Sequence, residues 1–420
     1  MKAELLIPAG SLEILKTAVR YGADAVYVGG ESLSLRAKAP NFTREQMREG
    51  MAYARKRGVK LYVAVNIIAH NADMDAAPDY LRDLGKLRPD ALIIADPGLF
   101  LLARQICPEI PIHISTQAGS SNHQTFNFWH GQGAKLVVAA RELSLAEIAA
   151  IRVKIPADMQ MECFVHGAMC MAYSGRCLLS AWLAGRSANS GECAHPCRWQ
   201  YGVVEQTRPG VYMPLYEDER GSLIFSPHDL CMIGHIPELT RAGINSFKVE
   251  GRMKGVLYVA TVARVYRKAL DDFYVSEELY RDNMHWYMSE LARCAHRPYS
   301  TGFYFGRQGA LQEGQHAESS TAGRPLKGYI SEAVYIGTVE AIDSRYGARI
   351  TQKNKFAVGD AVEIMKPGGE TMAAHVRAIY DTSGAAMHDA PHAKQELYIN
   401  LSTSPEAGDV LRAVEREEIC

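Results

Sequence analysis

The residues most suited to chemistry in this sequence are cysteines, and six of the nine lie between positions 163 and 231. Four of them follow the spacing C-x6-C-x15-C-x3-C, at Cys170, Cys177, Cys193 and Cys197. Nine cysteines in 420 residues are too few for a disulfide scaffold. Thiolates gathered on one loop are typical of zinc or of an iron–sulfur cluster. Zinc sites favour paired C-x2-C turns, so the wider spacing and its apolar flanks indicate a 4Fe–4S cluster, with zinc as the alternative metal.

Two further cysteines bear on this assignment. Cys163 falls inside a predicted strand, so we expect it to be a buried core residue. Cys231 ends the run Ser-Pro-His-Asp-Leu-Cys, and it would replace one of the ligands if the loop folded differently. The prediction keeps the original set of ligands and leaves Cys231 outside it.

The elements that must position these cysteines follow a regular pattern. Short β-rich runs alternate with helical patterns, at 4–7, 25–29, 60–66, 91–96, 111–117, 135–140, 159–165 and 246–250. Ser11, Thr43 and Ser144 are predicted N-caps of intervening helices. Strands joined through helices pair in parallel, and eight such units close a TIM-type (β/α)8 barrel of the α/β class. The cysteines fall in a long insertion after the seventh strand, predicted at 168–230.

Polar residues and glycines recur where the predicted strands end. They are Gly10, Gly30, Asn66, Asp96, Gln117, Arg141, Glu142, His166, Gly167, Glu250 and Arg252. The interior of such a barrel is usually filled by Val, Ile and Leu, and the chemistry takes place at the C-terminal ends of its strands. The set therefore predicts a polar pocket at this edge of the barrel.

The C-terminal part of the chain has a different pattern. A barrel domain predicted at 1–300 is followed by a segment rich in glycine and polar residues, predicted as a linker at 301–328. Apolar and polar residues then alternate in short runs, at 335–340, 349–352, 361–365, 375–379 and 396–401. Alternation with Gly and Asp turns between the runs is typical of a small closed all-β barrel, which we place at 329–420.

The composition excludes several other classes of protein. With 47% hydrophobic and 22% charged residues, the chain is globular rather than disordered or fibrous. Its 46 Lys and Arg against 47 Asp and Glu give a net charge of −1, which excludes a wholly basic surface but not a local basic patch. No run is long and apolar enough for a membrane helix. The N-terminus lacks the apolar core of a secretory signal, which predicts a cytoplasmic protein.

Several long segments resemble one known family. They are ELLIPAGSLEILKTAVRYGADAVYVGG at the start, ECFVHGAMCMAYSGRCLLS and GECAHPCRW around the cysteines, FKVEGRMK at 247–254, and KNKFAVGDAVEIM at 353–365. Together they resemble the collagenase-like peptidases, family 32 of unknown catalytic type. Within it, the chain is most similar to the branch that forms 5-hydroxyuridine at the wobble position of tRNA in a prephenate-dependent manner.

This resemblance implies a 4Fe–4S cluster on the four spaced cysteines, with prephenate as co-substrate. Prephenate is a dicarboxylate, for which guanidinium groups are suitable partners. The candidates are Arg36, Arg141, Arg176 and Arg252. The candidates for proton transfer are Glu142, His166 and Glu250. The aromatic candidates for stacking on a base of the tRNA anticodon loop are Tyr173 and Trp199.

Two other functions remain as alternatives. The first is a collagenase-like peptidase, in which Cys170 and His166 would form a thiolate–imidazole pair. A peptidase needs an activated nucleophile or a metal-bound water, and the sequence contains neither a G-x-S-x-G nor an H-E-x-x-H motif. The second is a non-catalytic RNA-binding accessory protein with a structural cluster. The preferred hypothesis is a tRNA hydroxylase.

Overall fold

The computed structural model describes residues 2–35, 41–170, 172–199, 228–306 and 330–414, and the backbone alone at 202–204 and 212–214. The strands of its N-terminal part are β1 (Glu4–Pro8), β2 (Ala25–Gly29), β3 (Lys60–Val65), β4 (Ala91–Ile94), β5 (Ile112–Ile114), β6 (Leu136–Val138), β7 (Gln160–Ala168), β8 (Gly202–Val204), β9 (Tyr212–Pro214), β10 (Asp229–Cys231), β11 (Ser246–Val249) and β12 (Tyr299–Ser300). Strands β1 to β7 are parallel neighbours in chain order, and β11 pairs in parallel with both β1 and β7. The barrel is therefore closed, which confirms the predicted TIM-type α/β fold.

The described N-terminal part contains eleven α-helices, most of which follow barrel strands. They are α1 (Leu12–Arg20), α2 (Arg44–Arg55), α3 (Asn71–Leu87), α4 (Pro97–Ile106), α5 (His123–Gly131), α6 (Leu145–Arg152), α7 (Leu179–Ala184), α8 (Ile236–Arg241), α9 (Val256–Val275), α10 (Glu277–Asp282) and α11 (Met284–Ala292). The predicted N-caps are confirmed. The Ser11 hydroxyl accepts a hydrogen bond from the Ile14 N–H in the first turn of α1. Thr43 and Ser144 each form a capping box.

The insertion between β7 and β11 folds against the barrel. It contains α7, the paired strands β8 and β9, and β10, which runs antiparallel to β7. In that pairing Cys231 lies opposite His166, and its side chain is buried in the core. Cys163, in the middle of β7, is also a buried core residue, as predicted.

The segment after β12 packs on the barrel where a linker was expected. Thr301 and Tyr304 are buried, and the Tyr304 hydroxyl donates to the Phe164 carbonyl at 2.6 Å. These buried side chains anchor residues 301–306 on β7, so the expected linker does not begin at 301. The rest of that predicted linker, 307–328, lies outside the described residues.

The C-terminal part is all β. Its strands are β13 (Ala333–Asp343), β14 (Gly347–Thr351), β15 (Phe356–Ala357), β16 (Ala361–Met365), β17 (Thr371–Asp381), β18 (Ala386–Met387), β19 (Asp389–Ala390), β20 (Glu396–Leu401) and β21 (Val410–Val414). The antiparallel order β16-β21-β13-β14-β20-β17 closes through the pairing of β17 with β16. This is the predicted small β-barrel, with β21 as a strand that the sequence pattern did not indicate.

A buried ionic group joins the two barrels. The Glu290 carboxylate, on α11, pairs with Arg264 on α9 and with Arg412 on β21, the latter at 2.8 Å. The Arg412 guanidinium also contacts Glu363 on β16 at 2.8 Å. Both arginines are fully buried, so the contact between the barrels is tight. Within the described residues, no helix combines the length and apolar character that crossing a membrane requires.

Candidate active site at the mouth of the barrel

A cavity of about 150 Å³ opens at the C-terminal ends of the barrel strands. Its walls come from β2, β3, β4, β7 and β11, from the segments that follow β5 and β6, and from the cysteine-bearing loop of the insertion. Five of the polar strand-end residues line it, namely Asn66, Gln117, Arg141, Glu250 and Arg252. The C-terminal edge of the barrel thus carries a pocket with polar residues in a largely apolar lining, in the place expected for this fold.

All four spaced cysteines line this one cavity. They are Cys170, Cys177, Cys193 and Cys197, and each is an unbridged thiol. The loop packs closely on the barrel at Gly175, which has a φ of +76°. A Cβ at this position would lie 2.3 Å from the Gln117 carbonyl oxygen, so the close approach requires glycine. A residue with a side chain would push the loop away. The Asn189 amide donates to the Cys177 carbonyl at 3.1 Å and holds the other side of the loop.

The electrostatics of the thiols suit a group that neutralises several thiolates together. Burial raises the pKa of Cys197 first, and the neighbouring Cys170, Cys193 and Cys177 raise it further, while Arg198 lowers it. Bound iron stabilises a thiolate, which would offset the effect of burial on the Cys197 thiol. Among the described residues, no group of three or more His, Cys, Asp or Glu side chains is placed to hold a single metal ion. The fit to a larger cluster rests on the cavity that the four thiols share.

Arg141 is a predicted arginine that contacts one of the cysteines. Its Nη1 donates to the Ala168 carbonyl at 3.1 Å and lies 3.9 Å from the Cys170 sulfur. Its guanidinium also stacks over the Phe164 ring, 4.1 Å from the ring centroid. These contacts hold a positive charge on the wall of the cavity, next to a thiol.

Arg252 also lines the cavity, but much of its guanidinium binds the chain itself. It donates to the Leu35 carbonyl and lies 3.4 Å from both the Ser34 hydroxyl and the Asn41 amide oxygen. A Cβ on Gly29 would lie 2.6 Å from its nitrogens, so the guanidinium requires glycine at the end of β2. Arg252 therefore organises the loop after β2 and adds positive charge to the cavity.

The other two predicted arginines are placed differently. Arg176 is exposed and is not among the described residues that line the cavity. Arg36 lies outside the described residues.

The three candidates for proton transfer are separated by the fold. Glu250 lines the cavity, and its Oε2 lies 3.2 Å from the Tyr27 hydroxyl. Glu142 does not line the cavity; its Oε2 is buried with no hydrogen-bond partner among the described residues, and burial raises its pKa. His166 is buried against the rings of Tyr258, Tyr266 and Tyr299, away from the cavity lining. Burial lowers the pKa of His166 from 6.5 to about 3, which keeps it neutral near pH 7.

Sequence reasoning missed Lys248 and Glu162. Lys248 lines the cavity, and its Nζ lies 2.7 Å from Glu162 Oε1 inside the barrel. The available signal was the spacing of Ser246, Lys248 and Glu250, since alternate residues of a strand share a face. Three polar residues on the inward face of the last strand indicate a polar barrel interior.

Aromatic side chains stand exposed on the insertion beside the cavity. Tyr173 lines the cavity and is 55% exposed, and Trp199 is 47% exposed. Trp182, on α7, is 88% exposed, and α7 packs against the turn that contains Cys197. Exposed rings beside a cationic pocket provide surfaces on which unpaired bases stack.

Comparison with known proteins gives matches along both barrels. Residues 10–314 match peptidase family U32, and residues 331–412 match the peptidase family U32 C-terminal domain. The tRNA hydroxylation protein P1 of Bacillus subtilis is 39% identical over 98% of this chain and 94% of its own length. The tRNA hydroxylation protein P of Escherichia coli is 39% identical over 88% of this chain and 87% of its own length. A collagenase of Porphyromonas gingivalis is 33% identical over 87% of this chain and 86% of its own length.

Proposed function

Because the chain belongs to peptidase family U32, we propose that it is an enzyme of tRNA hydroxylation. Relatives that carry this name are 39% identical to it over most of its length. The observation that carries the proposal is the single cavity in which four thiols, the exposed ring of Tyr173 and cationic side chains meet. A peptidase needs an activated nucleophile or a metal-bound water, whereas exposed rings beside cationic side chains suit an RNA substrate.

The proposed cofactor is a 4Fe–4S cluster held by Cys170, Cys177, Cys193 and Cys197. When bound, such a cluster supplies electron transfer, and hydroxylation of a base is an oxidation. The proposal is supported by the cavity that the four thiols share. Burial, and to a smaller extent the neighbouring cysteines, raise the pKa of Cys197. Arg141, 3.9 Å from the Cys170 sulfur, offers a charged donor to the ligand set.

The proposed substrates are the wobble uridine of a tRNA anticodon loop and prephenate as co-substrate. Hydroxylation at C5 of the uracil requires a group that accepts a proton, and Glu250 is the carboxylate among the described residues that line the cavity. The Tyr27 hydroxyl, 3.2 Å from Glu250 Oε2, orients that carboxylate. Arg141 and Arg252 supply positive charge for the carboxylates of prephenate. Tyr173 and Trp199 offer rings for the splayed base.

The test is mass spectrometry of tRNA nucleosides from a strain that lacks this chain. We expect 5-hydroxyuridine to disappear and to return with the native gene but not with Cys197→Ser. Unchanged 5-hydroxyuridine, together with gelatin cleavage by the purified metal-free protein, would favour the peptidase alternative instead. A chain that restores the modification after its cysteines are replaced would show that the reaction does not need the cluster.

A further inference from the structure

Lys248 occupies an unusual place on the inner wall of the barrel. It lies in the middle of β11, only 5% exposed, and it lines the cavity one layer deeper than Glu250. Its Nζ donates to Glu162 Oε1 at 2.7 Å, and the other oxygen of Glu162 accepts from the Ser246 hydroxyl at 2.8 Å. The Nζ also lies 4.7 Å from the centre of the Tyr27 ring. Glu162 therefore holds the ammonium at the barrel wall, and Lys248 lines the cavity on its other side.

Stability does not explain this ion pair. Removing two charges from water costs several kcal/mol each, and a well-packed apolar pair in the same space is often as stable or more so. Barrels of this type normally fill the interior with branched apolar side chains. Glu162 is 1% exposed, so water solvates the pair far less than it solvates a surface ion pair. The desolvation free energy of the two charges is correspondingly large. A binding role for the ammonium is the simpler reason for its position.

The hydrogen bonding of Lys248 points the same way. An ammonium carries three N–H donors. Among the described residues, Glu162 is the one hydrogen-bond acceptor of Lys248. Buried donors without acceptors cost free energy, so the remaining N–H groups favour a ligand with acceptor oxygens in the cavity.

The charge of the cavity selects an anionic ligand. Arg141, Arg198 and Arg252 line it together with Lys248, whereas Glu250 is the one carboxylate among the described lining residues. A carboxylate group combines negative charge with acceptor oxygens, and a hydrogen bond between two charged partners is stronger than a neutral one.

We infer that Lys248 binds a carboxylate of the dicarboxylate co-substrate at the bottom of the cavity, and that Glu162 is the residue that positions it. The inference rests on the proposed function and deepens it, because it assigns a binding residue to the co-substrate pocket. The ammonium donates to the carboxylate oxygens, Glu162 and Ser246 keep its Nζ at the wall, and the Tyr27 ring excludes water from one side.

The experiment is calorimetric titration of prephenate into protein purified without air. Either single variant would leave the other partner as an uncompensated buried charge, and Glu162→Gln would also free the ammonium that Glu162 positions. The informative comparison is therefore between the native protein and the double variant Lys248→Met/Glu162→Gln, which removes the ammonium without leaving a buried charge. Lys366→Met removes a partly buried, ion-paired lysine of the C-terminal barrel and serves as the matched control. Thermal unfolding and iron content establish that every variant is folded and loaded.

We expect the double variant to bind prephenate about tenfold to a hundredfold more weakly than the native protein, the loss of one charge-assisted hydrogen bond. The control should bind like the native protein. Equal affinities of the native protein and the double variant would overturn the inference and leave the proposed function standing. Native protein that forms 5-hydroxyuridine but binds no prephenate would overturn it as well. Failure of the function itself shows separately, as unchanged tRNA nucleosides in the deletion strain.

Discussion

The Arg141 guanidinium lies 3.9 Å from the sulfur of Cys170 and is held there by the Ala168 carbonyl and the face of Phe164. A fixed positive charge beside a thiolate stabilises the more negative, reduced state of a bound cluster. We therefore expect Arg141→Met to lower the reduction potential of the cluster, measured by spectroelectrochemical titration. Arg176→Met, which removes an exposed arginine of the cysteine-bearing loop, should shift the reduction potential less. A potential that rises in Arg141→Met would contradict this role.

The ligand assignment makes a prediction about metal content. Cys197 lines the cavity with the other three thiols, whereas Cys231 is buried in β10. Cys197→Ser should strongly reduce the iron and acid-labile sulfide of protein purified without air, and Cys231→Ser should leave both at about four per chain. Loss of iron from Cys231→Ser but not from Cys197→Ser would reverse the assignment. Stoichiometric zinc in place of iron would favour the alternative metal.

Much of the fold could be predicted because it is encoded locally. Alternating strands and capped helices indicate a parallel barrel, and Ser11, Thr43 and Ser144 cap where expected. The rule that strand ends carry the chemistry located Asn66 and Gln117 in the cavity. The barrel fold and the strand-end residues of the cavity each follow from properties of single segments, which can be read directly from the sequence.

The remaining features depend on contacts between distant segments. Asp96 also ends a strand, but its carboxylate caps α4 by accepting from the Gly98 and Leu99 N–H groups. The pairing of Lys248 with Glu162 depends on β11 closing the barrel against β7. The packing of Tyr304 on β7 likewise has no local signal. Neither the direction of a side chain nor its partner across the barrel follows from periodicity alone.

His166 provides a test of stability against pH. Burial lowers its pKa from 6.5 to about 3, so below pH 6.5 the unfolded chain binds a proton that the folded chain does not. Stability present above that pH is therefore lost as the pH falls from 6.5 toward 3. Between about pH 7.5 and about pH 5.5, the free energy of unfolding of His166→Phe should fall by about 1.4 kcal/mol less than that of the native protein. Urea unfolding at the two pH values measures this difference. His392→Phe, at an exposed position, is the control. If His166→Phe and the native protein showed the same pH dependence of stability, His166 would bind a proton in the folded protein as readily as in the unfolded chain.

The ionic group between the two barrels predicts a large loss of stability. Glu290→Gln leaves Arg264 and Arg412 buried without the carboxylate that they share. Breaking a buried pair in this way costs about 3–5 kcal/mol, which equilibrium denaturation would measure. Asp79→Asn breaks an exposed pair with Arg82 and should cost about 0–1 kcal/mol. Similar losses in the two variants would show that the buried group is well solvated.

The exposed ring of Trp182 gives the last prediction, which concerns RNA. Trp182 is 88% exposed, and its helix packs against the turn that contains Cys197. If a splayed base stacks there, Trp182→Ala should weaken tRNA binding by about 1–3 kcal/mol in filter-binding or fluorescence titration. Phe128 is 56% exposed in the second half of α5, which returns toward the opposite end of the barrel, so Phe128→Ala is the matched control. Equal binding by the two variants would place the tRNA elsewhere and leave Tyr173 as the ring at the cavity.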